Sequence, residues 1–132
     1  MSILYDPDGH LDAAIGLPLD RTTHLRLAHA IISAAADGSP GLADRDYEQI
    51  ALQLTGHARL VAREVRGHCD RLPSHADPRV LAELVLDEVD RRLALPLLGT
   101  VRCAASRARL VRALYERLDR LESAIASPTS VS

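Results

Sequence analysis

From residue 44 the chain alternates apolar and polar positions at spacings of three and four for almost thirty residues: Tyr47, Ile50, Ala51, Leu54, Ala58, Val61, Ala62, Val65, Cys69 and Leu72. That period matches 3.6 residues per turn, so one amphipathic helix is predicted over about 44–72, with Asp44 as its cap and Pro73 as its stop. Before it, Leu27, Ala28, Ile31, Ile32 and Ala35 mark a first helix over about 22–36, with Asp20, Thr22 or Thr23 as cap. The breaker cluster Asp37-Gly38-Ser39-Pro40-Gly41 ends it. A third helix is predicted over about 78–95, opened by Asp77-Pro78, carrying Leu81, Ala82, Val85, Leu86, Val89 and Leu93, and ended by Pro96. The fourth runs over about 100–125 from a Thr100 cap, with Ala104, Ala108, Leu110, Val111, Leu114, Tyr115, Leu118, Leu121 and Ile125 on one broad face.

Four such helices joined by short connections favour antiparallel neighbours, so the expected fold is all-α, a single-domain up-down-up-down four-helix bundle spanning 1–132. Residues 1–19 show a turn signal at Asp6 to Gly9 and no sustained period, which reads as an irregular arm lying on the bundle through Ile3, Leu4 and Tyr5. Residues 127–132 read as a loose tail.

Composition narrows the chemistry. A chain of 132 residues without Phe, Trp or Lys, and with three Tyr, builds its interior from Leu, Ala, Val and Ile. The formal charge of −2 gives no general reason to bind nucleic acid. No apolar run approaches the roughly 20 residues of a membrane span, and the first residues lack a basic leader, so a soluble cytoplasmic protein is expected. Cys69 and Cys103 make neither a disulfide framework nor a zinc set and read as small buried residues.

The polar residues on the inner faces carry what chemistry there is. Folding each helix back about its turn brings His24 level with His57 and with Cys103, with Arg91 or Arg92 approaching. Such a set is either a soft-metal or nucleophile group, or ordinary histidines hydrogen-bonded at the border of a core. The same construction gathers Glu64, Glu88 and Arg107. Arg107 stands at the centre of an apolar face and must be paired, with Glu88 the first partner and Glu64 the second. That group reads as a register-fixing ion pair, or as an anion clamp in a bundle pocket. His57 and His68 are eleven residues apart, about 16 Å along a helix, and cannot share an ion. Glu64 and His68 lack the duplicated spacing of di-iron bundles. No metal or cofactor is therefore expected, and Arg102, Arg109, Arg112 and Arg120 form an outer basic face balanced by Glu116 and Asp119.

The segment Leu54-Thr55-Gly56-His57, Leu60-Val61, Glu64-Val65, then Leu72-Pro73 and a Pro-initiated helix with Glu88 and Arg91-Arg92-Leu93, resembles an actinobacterial family of unknown function labelled natural product biosynthesis protein. The likeness covers about residues 42–121 and implies a small all-helical protein associated with biosynthetic loci, without a defined reaction. The family pattern commonly has Pro before Glu-Val where this chain has Arg63, so a kink in the second helix is an open question.

Two functions are compatible with these features. The first is a non-enzymatic accessory or interaction protein, working through a protein partner or as a homodimer, with outward Leu52 and Leu60 as contact points. The second is a small tailoring enzyme, a cyclase, isomerase or lyase of a secondary metabolite, with His57 or His24 as base and Arg107 holding a carboxylate.

Overall fold

The computed structural model describes residues 20–38 and 41–126, which form four helices and no strand. The expected arm over 1–19 and tail over 127–132 lie outside the described residues. Helix α1 is Arg21–Asp37, α2 is Asp44–Cys69, α3 is Asp77–Leu93 and α4 is Val101–Ala126. No helix among the described residues is long and apolar enough to cross a membrane.

The ends show how punctuation works. Gly38 closes α1 in the left-handed region at φ 70° and ψ 21°, donating its N–H to the Ala34 carbonyl. Only glycine takes that conformation without steric cost. Thr100 caps α4 as expected: its Oγ1 accepts the Cys103 N–H at 3.1 Å. Asp20 occupies the cap position of α1 but makes no side-chain cap bond. Four other expected ends shift. Ala43, not Asp44, holds the α2 cap position, and Asp44 with Asp46 instead put negative charge in the first turn, where the helix dipole favours it. Similarly, Ala76 precedes α3, so Asp77 and Pro78 are its first two helical residues. At the far ends α2 stops at Cys69 rather than Leu72 and α3 at Leu93 rather than Leu95, because the last turn ahead of each proline tightens to bonds three residues apart. The Leu72 N–H then reaches only the Cys69 carbonyl at 3.0 Å, and the Leu95 N–H only that of Arg92 at 3.1 Å. Helix α2 is unbroken through Arg63, which retains the backbone N–H a proline would lack.

Helix α4 packs against all three others, and its closest partner is α2. The two run parallel, as three levels show. Gly99 abuts Asp44 at one end, His57 meets Tyr115 in the middle, and His68 lies 3.6 Å from Glu122 at the other end. Helix α1 is antiparallel to α4, with Arg21 bonded to Asp119. Helix α3 is antiparallel to α4, with Arg92 and Leu95 against Arg107 and Asp77 and Leu81 near Glu116 to Ser123. The result is the expected up-down-up-down order. Its core is the seam of Leu54, Val61 and Val65 against Val111, Leu114 and Leu121, closed by Ala82, Leu86 and Val89. Each fully buried Leu or Val contributes about 1.5–3 kcal/mol. Helix α1 contributes only Ala28 and Ile31 to the buried set and is the least embedded.

The meeting of Gly99 and Asp44 leaves no room for a side chain. A Cβ on Gly99 would lie 2.8 Å from the Asp44 carbonyl oxygen, a backbone atom at the start of a helix. Gly99→Ala is therefore expected to cost about 1–3 kcal/mol by overpacking, read as a lower midpoint in urea unfolding. An unchanged midpoint would show that the junction between α2 and α4 yields.

Candidate functional site

The histidine pair forms, and it forms because a short connection fixes the register of α1 against α2. His24 and His57 stack face to face, ring centroids 3.7 Å apart and planes within 2°. The His24 Nδ1–H donates to the Asp20 carbonyl at 2.8 Å, since a carbonyl can only accept. Its Nε2 is then an acceptor, 3.4 Å from the Gln53 amide nitrogen. His57 is 5 % exposed, and its Nε2 lies 2.7 Å from the Tyr115 hydroxyl. Burial, reinforced by the neighbouring His24 ring, pushes the His57 pKa down to about 4, so the ring is neutral at pH 7. Burial likewise pushes the Tyr115 phenol up to about 12, leaving it protonated. Arg21 covers the Tyr115 ring, its guanidinium carbon 4.7 Å from the centroid, and forks onto both Asp119 oxygens at 2.8 and 2.7 Å.

Cys103 does not join this pair. It sits in the first turn of α4, where its Sγ accepts the Leu98 N–H at 3.3 Å. Twelve residues, about 18 Å of helix, separate it from Tyr115. Arg91 and Arg92 are also elsewhere, bonded to Glu88. The construction that folds α4 back about a tight turn fails because residues 94–100 carry the chain along the bundle until Gly99 reaches the start of α2. Tyr115 is the residue that sequence reasoning missed as a site member. It was legible as part of α4's inner face, and its hydroxyl was the only polar tip there besides Arg107.

The second expected group is dispersed. Arg107 is 2 % exposed and donates to the carbonyls of Arg92 and Leu95, both at 2.8 Å. It thereby serves the Leu95 carbonyl just beyond α3 and adds a second donor to the Arg92 carbonyl, which already accepts the Leu95 N–H. Glu88 faces solvent and is held below the usual carboxylate range by hydrogen bonds from Arg92 and Arg91. Glu64 is exposed, and its backbone carbonyl accepts from His68 Nδ1 at 2.8 Å. So Glu64, Glu88 and Arg107 are three separate features. Local pairs three and four residues apart need no register and win over the cross-helix pairing.

Among the described residues no three His, Cys, Asp or Glu side chains converge as a metal set. Cys69 is buried, which pushes its thiol pKa up, and Cys103 is half-buried; both are free. Thr55, two residues before His57 and on the opposite side of α2, holds a buried hydroxyl without a hydrogen-bond partner. Two open grooves of about 480 Å³ each are lined by neither His24 nor His57. One runs between the start of α3 and the later half of α4, past Leu81 and Asp119; the other is bordered by His68, Arg71 and Glu122.

The arrangement can therefore hold α1 in place and can respond to protons at His57. A comparison with family models, with curated proteins and with solved structures found no match to this chain.

Proposed function

We propose that the protein is a non-enzymatic interaction module that works through self-association, in the cytoplasm, and that natural product biosynthesis is the setting its sequence resemblance suggests. The observation that carries this reading is on α3. Its core stripe is Ala82, Leu86, Val89 and Leu93, and on the opposite side Val80, Leu81 and Leu84 face water, Leu84 being 61 % exposed. Three large apolar side chains within five residues form a patch, whereas scattered single ones are ordinary. A two-fold axis at Leu84 pairs two α3 helices antiparallel and sets Asp77 of one copy level with Arg91 of the other, an isologous contact with opposite charges matched. Leu52 and Leu60 are also outward and about half exposed on α2.

A tailoring enzyme would need its base and its carboxylate clamp to face one cavity. Arg107 lies eight residues from Tyr115 along α4, about 12 Å, and has two donors committed to α3 carbonyls. That geometry favours the first reading. Native mass spectrometry and sedimentation of the full chain are expected to show a dimer at micromolar concentration. Leu84→Arg, which pairs with Glu88 on its own helix but meets its own copy at the axis, should leave a folded monomer. A wild-type monomer at the highest soluble concentration would sink the reading.

A further inference from the structure

We infer that the His24–His57 stack is a proton-operated latch that holds α1 against α2 and α4 at neutral pH and releases it on acidification. Two aromatic rings stacked in parallel 3.7 Å apart are a stable contact only while they do not both carry charge. Burial first and the His24 ring second make a proton on His57 unwelcome, while the Asp20 charge favours it. Around the two rings, from α1 come Asp20, Arg21 and His24; from α2 comes His57, with the neutral amide of Gln53; from α4 come Tyr115 and Asp119, with Glu122 beyond them. The nearest carboxylate that bonds into this cluster, Asp119, is already taken by both nitrogens of the Arg21 fork. Charged groups of α3 bond elsewhere among the described residues: Arg79 to Glu83 and the Leu72 carbonyl, Arg91 and Arg92 to Glu88, and Asp90 to Arg66 of α2.

The hydrogen bonds carry the same message. His24 Nε2 is an acceptor facing the Gln53 amide, and protonation makes it a donor facing a donor until that amide turns over. A proton placed on His57 Nε2 obliges the Tyr115 hydroxyl to accept. Release uncovers Ala28 and Ile31 with the partly buried Leu25, Leu27, Ile32 and Ala35, while the α2–α4 seam is built from residues of those two helices. A ring that titrates near 4 when latched and near its ordinary 6.5 when free favours opening about 25-fold at pH 5.0 relative to pH 7.5.

Amide hydrogen exchange of the full chain at those two pH values, corrected for intrinsic rates, tests this. Protection across residues 21–34 should fall at least tenfold at pH 5.0, while α2 and α4 keep theirs. His57→Gln should abolish the differential, and His24→Gln, which removes the smaller cause and the stack, should reduce it. Should His57→Gln fail to fold, a reduced differential in His24→Gln, at a half-buried position, decides. The latch is overturned if α1 protection is the same at both values, if α1, α2 and α4 lose protection together, if the response survives in His57→Gln, or if His24→Gln leaves it undiminished.

Discussion

Arg107→Ala is expected to be the most damaging single substitution outside the apolar core, costing about 2–4 kcal/mol of unfolding free energy. The wild-type guanidinium is sealed at 2 % exposure and donates to two carbonyls at 2.8 Å. Hydrogen bonds to a charged group contribute about 1.5–3 kcal/mol each, against which the desolvation of the cation must be set. Alanine removes both bonds, strands the Leu95 carbonyl, leaves the Arg92 carbonyl with the Leu95 N–H alone, and opens a cavity where the buried side chain lay. Arg107→Lys should recover only part of the loss, since a single ammonium does not reproduce the fork that reaches two carbonyls three residues apart. Urea unfolding gives the magnitude, and faster exchange at the end of α3 gives the location. A loss below about 0.5 kcal/mol would mean that water serves those carbonyls equally well.

The second large effect is in pH. His57 is held near 4 in the fold and returns to about 6.5 when the chain unfolds. Between those values the unfolded chain binds the proton that the native chain refuses. Stability from this group is therefore complete above pH 6.5, falls as pH drops through the window, and is exhausted below 4. The whole excursion is worth about 3 kcal/mol at 1.36 kcal/mol per pH unit. Asp119 and Glu88, held low by arginine partners, act in the same direction but only at more acid values. Urea unfolding of wild type and His57→Gln at pH 7.5 and 4.5 separates the two windows. The variant should lose far less than the wild type between them, and equal losses would show that His57 does not set the slope.

How much of this was legible depends on what each feature needed. Helices were readable to within three residues because Gly38, Pro73, Pro78 and Pro96 punctuate them, and a final turn tightened to bonds three residues apart accounts for the early stops at Cys69 and Leu93. The His24–His57 meeting was readable because α1 ends at Asp37 and α2 begins at Asp44, a separation in sequence short enough to transmit register. Register was lost between α3 and α4, where the connecting residues travel along the bundle, so Cys103 was placed at the level that Tyr115 occupies. The burial of Arg107 was visible in the apolar pattern around it, but its partners were not. Backbone carbonyls have no letter in a sequence, and a helix end becomes an acceptor only once the fold has put it there.

The parallel α2–α4 seam also has a consequence in time. His57 and Tyr115, which meet across it, are 58 residues apart in the chain. At about 5–20 residues per second of synthesis, α2 waits about 3–12 s for the partner that covers it. During that interval its apolar stripe is uncovered on a nascent chain, and α3 alone offers only part of the cover. Folding on the ribosome should accordingly be a late, single event triggered by the emergence of α4, and the interval before it is when a holding chaperone would bind.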